Sequence, residues 1–301
     1  MLELPDAALA AHDGADFPLL VPRGFVARMR KRDPSDPLLR QVLPTPAESA
    51  AVPGYSDDPV AEQSLANGGL LRKYARRALL IASAACPVHC RYCFRRAFPY
   101  SEQLAARGDW QHAVAALAAC DDVDEVILSG GDPLSLGNAR LARLVAQLEA
   151  TCVRTLRIHT RFPIAVPERV DDGLLEVLGQ TRLRTVVVVH CNHANEIDAS
   201  VAAALRSLRP AVGLVLNQSV LLAGVNDDAD ALIALSERLL DCGVLPYYLH
   251  LLDRVSGAAH FEVDEARGKA LVARMRACLP GYLVPRLVRE TPGELSKTIV
   301  V

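Results

Sequence analysis

Short runs of aliphatic residues alternate with longer segments of helical period along most of the chain, beginning near residue 75. The aliphatic runs predict strands at 78–83, 125–129, 155–159, 185–190, 213–220 and 246–251. Between and after them the pattern predicts helices at 103–119, 138–151, 171–179, 196–208, 227–242 and 264–279. The clearest is 229–240, whose period would turn Leu232, Leu235, Leu239 and Leu240 inward. Six β-α units in series favour a parallel sheet, because strands joined through a helix return in the same direction. The expected fold class is therefore α/β, a partial (β/α)6 barrel of the TIM type.

The polar residues fit that expectation, since ligands of such barrels gather at the carboxyl ends of the strands. Cys86 follows the first strand, and Ser129-Gly130-Gly131-Asp132-Pro133 follows the second. His159-Thr160-Arg161, His190-Cys191-Asn192-His193, Asn217-Gln218-Ser219 and the stretch from His250 to Asp253 end the other four. A doubly wound sheet, the runner-up, would collect its polar residues at one switch point. The first 70 residues differ: Asp33-Pro34-Ser35-Asp36-Pro37 and Pro44-Thr45-Pro46 interrupt short helices such as 25–32, predicting an ordered extension that wraps the barrel.

Composition narrows the classes. A chain of 301 residues with 51% hydrophobic content can bury a sizeable core, and a net charge of −2 gives no general attraction to nucleic acid or to an anionic membrane. The start, Met1-Leu2-Glu3-Leu4-Pro5-Asp6, lacks a basic segment followed by an apolar run, and no stretch approaches the length of a membrane helix, so a cytoplasmic location is expected. Cys120, Cys152, Cys191, Cys242 and Cys278 are scattered singly, which predicts reduced core thiols and no disulfide framework.

The other three cysteines carry chemistry. Cys86, Cys90 and Cys93 lie in Ala85-Cys86-Pro87-Val88-His89-Cys90-Arg91-Tyr92-Cys93-Phe94-Arg95-Arg96, a C-x3-C-x2-C spacing. Three close thiolates can hold three irons of a cubane and leave the fourth open to a small-molecule ligand. Zinc usually takes two ligand pairs, and no second cysteine pair exists, although His89 could serve as a fourth ligand. Three buried structural cysteines are the other alternative, at odds with the arginines around them. The two glycines after the second strand would let a ligand approach the backbone, and Asp132 could accept a bond from an ammonium group.

This cysteine run, with Tyr92 before its third cysteine and a Gly-Gly-Asp turn after the next strand, resembles the radical S-adenosylmethionine superfamily. Cys93-Phe94-Arg95-Arg96, Leu128-Ser129-Gly130-Gly131-Asp132-Pro133-Leu134, His190-Cys191-Asn192-His193-Ala194-Asn195-Glu196, Asn217-Gln218-Ser219-Val220-Leu221-Leu222 and Gly224-Val225-Asn226-Asp227 narrow the resemblance to the lysine 2,3-aminomutases. Tyr247-Tyr248-Leu249-His250, Ala258-Ala259-His260-Phe261 and Gly281-Tyr282-Leu283-Val284-Pro285 are most similar to the subgroup that β-lysylates elongation factor P.

The resemblance implies a 4Fe-4S cluster on Cys86, Cys90 and Cys93, with S-adenosylmethionine on the open iron and its amine at Gly130, Gly131 and Asp132. It implies pyridoxal phosphate held covalently by Lys297, its phosphate near Arg77 and Gln218 with help from Lys73. L-lysine would meet Arg95 through its carboxylate, and Asp253 and Glu290 through its distal ammonium. Glu290 departs from the family, whose free-lysine members have aspartate there. The implied reaction is an isomerisation started by a 5'-deoxyadenosyl radical, moving the amine of L-α-lysine from C2 to C3 to give (R)-β-lysine for elongation factor P. A flavodoxin- or ferredoxin-type protein would donate electrons, and a separate ligase would attach the product. The alternatives are a free-lysine aminomutase of metabolism, giving the (S) product, and a non-catalytic zinc-binding protein. In this reading residues 1–71 are the extension, 72–294 the radical core and 295–301 a tail carrying the cofactor lysine. The chain ends at Val301, without the cysteine-bearing extension of longer members, which puts a zinc-tied dimer in doubt.

Overall fold

The structure, a computed structural model, describes residues 2–4, 17–100 and 105–301. Among these, ten strands form one open sheet in sequence order. A hairpin of β1 (Ala66–Asn67) and β2 (Leu70–Tyr74) runs antiparallel onto β3 (Arg77–Ser83). From β3 the strands β4 (Glu125–Gly130), β5 (Thr155–Thr160), β6 (Arg184–His190), β7 (Leu214–Val220) and β8 (Leu245–His250) pair in parallel, as the six apolar runs predict. A short seventh parallel strand, β9 (Arg286–Arg289), follows, and β10 (Thr298–Ile299) turns back against it. The partial barrel is thus as expected. Its antiparallel margins and β9 are additions, and the boundary expected between 71 and 72 falls inside β2.

Six helices pack on the outside of the parallel strands: α1 (Gln111–Ala118), α2 (Asn138–Glu149), α3 (Asp172–Gln180), α4 (Ala199–Leu208), α5 (Ala229–Asp241) and α6 (Glu265–Cys278). Four of them open on an aspartate, Asp171, Asp198, Asp228 or Asp264, whose carboxylate accepts the third backbone N–H of the helix. The cap explains one misjudged boundary: the helix expected from 196 starts after Asp198, because Glu196 is drawn into the interior. The helix expected at 103–119 lies partly outside the described residues and is broken by Asp109 and Trp110 at positive φ. On α5, Leu232, Leu235 and Leu239 are buried as expected. Leu240 is 40% exposed, and Ser236 occupies the inward position instead. The segment expected as helix 25–32 is helical only over Arg23–Ala27.

The core lies between the sheet and these helices, with Leu80, Leu128, Ile158 and Val187 facing Leu117, Leu141 and Leu144. Each such side chain contributes roughly 1.5–3 kcal/mol of burial. Every cysteine is free, but Cys152 and Cys278 are exposed, so the expectation of five core thiols holds fully only for Cys191 and Cys242. No helix among the described residues is long and apolar enough to cross a membrane. The extension wraps as expected: His89 N donates to Leu20 O (2.9 Å) and Arg91 N to Gln41 O (2.8 Å), fastening it to the cysteine run.

Candidate active site

The carboxyl ends of β3 to β9 surround a cavity of about 410 Å3 that is lined by residues from all six expected strand-end groups and by Lys297. One wall is the loop leaving β3, with Cys86, Cys90 and Cys93 half-buried. Burial pushes the Cys86 thiol far up, reinforced by Cys93, Asp132 and Cys90, and raises Cys93 to about 11. Thiols so reluctant to ionise alone fit an occupant that brings positive charge, as iron does. Among the described residues no three His, Cys, Asp or Glu side chains are drawn around one point as for a single ion. His89 is engaged elsewhere, its Nδ1 on Pro18 O (2.8 Å) and its ring stacked on Phe17.

The glycine turn packs edge-on against this loop. Gly130 has φ of +115°, and a Cβ there would lie 2.4 Å from Ser83 O; one on Gly131 would lie 2.5 Å from Ala85 O. Gly131 N and Asp132 N donate to those same two carbonyls, each at 2.7 Å. The close approach that the glycines permit is therefore that of the cysteine loop. Asp132 is engaged by the protein itself. Its oxygens accept from Leu134 N (3.0 Å), Thr160 Oγ1 (2.8 and 3.0 Å) and Arg161 N (2.6 Å), so three donors hold the carboxylate, and with it the turn, to the end of β5. Burial still lifts it to about 6 against those bonds.

Across the cavity the chain returns through β9 and β10, and the register of that pair brings Lys297 opposite the end of β9. Lys297 Nζ donates to Glu290 Oε2 at 2.5 Å. Glu290 also receives Tyr74 OH (2.5 Å) and pairs with Lys73. Burial alone would raise its carboxyl, but the charge of Lys297 and the bonds from Lys297, Lys73 and Tyr74 bring it down to about 2. Glu290 is thus fully engaged by the protein, unlike Asp253, whose side chain has no hydrogen bond or ion pair among the described residues. Burial raises Asp253 to about 7, partly offset by Lys297.

Arg77 lies over the Tyr74 ring at 4.8 Å, and its guanidinium makes no hydrogen bond among the described residues, so it is open to an anion. Gln218 Nε2 donates to His190 Nε2 at 2.7 Å. His190 is a neutral acceptor because burial, with Arg161 and Arg95 nearby, lowers it to about 3. His159 and His250 are likewise held neutral by burial, and each has a buried Nε2 without a partner. An open guanidinium, two unpartnered imidazoles and a lysine around one space fit a polar anionic cofactor such as pyridoxal phosphate. Arg95 donates from Nε to Glu62 (2.8 Å) and from Nη1 to Ser129 Oγ (2.8 Å), leaving Nη2 without a partner among the described residues.

Several residues of the site escaped the sequence reading. Glu62 and Glu48 neutralise the arginines of the cysteine loop, and Tyr74 helps to hold Glu290. Arg161 donates to Tyr92 OH, Gln41 Oε1 (2.9 Å) and Glu196 Oε2 (3.2 Å) behind Cys90. The available signal was charge: three arginines within six residues of a run expected to line a site require carboxylates from elsewhere.

Comparison with known proteins agrees with this geometry. Residues 75–163 match the family described as a 4Fe-4S single cluster domain. The chain is 48% identical over 283 residues to L-lysine 2,3-aminomutase of Escherichia coli, covering 94% of this chain and 83% of that protein. It is 31% identical over 280 residues to L-lysine 2,3-aminomutase of Clostridium subterminale, covering 92% and 67%. Among solved structures, Streptococcus suis SuiB bound to precursor peptide SuiA shares the fold, with a TM-score of 0.50 at 15% identity over 69% of this chain and 47% of that one.

Proposed function

The chain belongs to the lysine 2,3-aminomutase family, an isomerase family of radical S-adenosylmethionine enzymes, and on that premise we propose that it converts L-α-lysine to (R)-β-lysine for attachment to elongation factor P. The observation that carries the reading is one cavity containing both the three-cysteine wall and the Lys297 cluster. When bound, the cluster and S-adenosylmethionine would supply the radical, and pyridoxal phosphate would stabilise the migrating amine.

The chain's own residues would do the following. Cys86, Cys90 and Cys93 ligate the cluster, while Gly130 and Gly131 let the next strand end close on their loop. Lys297 holds pyridoxal phosphate, with the open guanidinium of Arg77 and the amide of Gln218 on its phosphate. Arg95 meets the substrate carboxylate through its remaining Nη2, and Asp253 meets the distal ammonium. Glu290, already facing Lys73 and Lys297, keeps Lys297 oriented, and its longer side chain reaches that pair. The barrel wall excludes water from the reacting carbons. A small one-electron donor protein supplies the reductant, and a separate ligase consumes the product.

Anaerobic assay with lysine, both organic cofactors, reconstituted iron–sulfur and a chemical reductant tests the reading. (R)-β-lysine is expected; the (S) isomer would favour a free-lysine enzyme, and a colourless zinc protein would exclude both. Lys297→Ala should abolish the visible absorption that pyridoxal phosphate acquires on binding the chain, and a retained band would refute that assignment.

A further inference from the structure

The carboxylate that balances two of the cysteine-loop arginines comes from the N-terminal extension. Arg91 is wholly buried, and its Nε and Nη2 donate to the two oxygens of Glu48 at 2.8 and 2.5 Å. Arg96 Nη2 donates to the same carboxylate at 2.8 Å, and its Nη1 caps Arg91 O at 3.1 Å. Both guanidiniums lie over the Phe17 ring, at 4.9 and 5.0 Å. Glu48 itself is fixed by the turn Pro46–Ser49, where its Oε1 accepts Thr45 N at 3.2 Å. One charge therefore meets two, on residues that alternate with the cysteines, and the positive charge of Arg96 is felt at Cys93.

We propose that Glu48 is a positioning residue of the cysteine loop: it fixes Arg91 and Arg96 and, by offsetting one of their two charges, sets the reduction potential of the cluster held by Cys86, Cys90 and Cys93. This rests on the cluster reading given above. Positive charge near a cluster favours the added electron. Glu48→Gln keeps the shape and removes the negative charge, so the potential should move upward. Arg96→Gln removes a positive charge from the same cluster of groups, so the potential should move downward. A variant of Glu48 also strands Arg91 in the interior, which should loosen the loop and speed loss of iron to a chelator.

The test is an anaerobic redox titration of the reconstituted full chain, followed by the electron paramagnetic resonance signal of the reduced cluster, with iron counted per chain. Glu262→Gln is the control, because Glu262 also ties the extension to the barrel, through Tyr55 OH (2.8 Å), but pairs with the exposed Arg254 and touches neither Arg91 nor Arg96. Expected are a positive shift for E48Q, a negative shift for R96Q and none for E262Q. Equal potentials in E48Q and R96Q, or shifts of one sign, overturn the assignment. Should E48Q fail to fold by circular dichroism, R96Q alone decides, and an unshifted potential overturns it. A wild-type chain that takes up no iron would instead overturn the cluster reading, and this assignment with it.

Discussion

Asp253 and Glu290 show how two carboxylates in one cavity divide their work by environment. Glu290 has three protein donors and is anionic throughout the ordinary pH range. Asp253 has none among the described residues and is raised to about 7 by burial, so it gains its charge only near neutrality. The KM for lysine should accordingly fall as pH rises through about 7, as Asp253 becomes able to pair with an ammonium. Asp253→Asn should raise KM roughly tenfold or more, the worth of a charged hydrogen bond, and flatten that dependence; a wild-type profile in the variant would reject the role. The stability consequence has the opposite sense. A carboxyl raised above its unfolded value of about 3.9 contributes stability at low pH that is lost as pH rises through about 7. Asp253→Asn should therefore become more stable relative to the wild type between pH 5 and pH 8, as urea denaturation can measure. Neither environment was legible beforehand, because Asp253 and Glu290 read alike in the sequence.

At the level of elements, β3 to β8 were legible because each carries short apolar stretches, alternating with polar residues in β5 and β7, at the spacing of successive β-α units. The margins were not. β1, β9 and β10 span two to four residues, and β2 contains the charged pair Arg72-Lys73, which gives no strand pattern. Only pairing with β3 turns Lys73 towards Glu290. The glycine turn was legible as a turn but not as a docking surface. Gly131→Ala would put a methyl 2.5 Å from Ala85 O and 2.7 Å from the Ala84 carbonyl carbon, both backbone atoms that cannot step aside. The expected cost is about 1–3 kcal/mol, with lower iron retention and an unchanged far-ultraviolet spectrum. Full iron occupancy in that variant would show that the turn does not govern the cysteine loop.

For the molecule as a whole, the extension and barrel share a buried polar network. Glu196 has no exposed surface; its carboxylate accepts from Gln41 (3.1 Å), Asn192 N (2.9 Å) and His193 N (3.1 Å) and pairs with Arg161, while Arg28 reaches its carbonyl. Replacing Glu196 by alanine strands the Arg161 charge in the interior, at an expected cost of about 3–5 kcal/mol. Because Gln41 belongs to the extension and Arg161 to the barrel, the two should unfold together. A denaturation curve that separates into two transitions would count against that.

The sequence by itself determined the barrel and the order of its six units, since periodicity is a local property of the chain, while the cysteine spacing and the family resemblance pointed to Cys86, Cys90, Cys93 and Lys297 as the residues to look for. The tertiary structure decided which charges face each other. It engaged Asp132 with backbone N–H groups and the Thr160 hydroxyl, left Asp253 without a side-chain partner among the described residues, gave Glu290 to two lysines and brought Glu48 and Glu62 from the extension to the arginines of the cysteine loop. Partners separated by tens or hundreds of residues meet only when the sheet has closed most of the way round, and burial then fixes which of them can remain ionised.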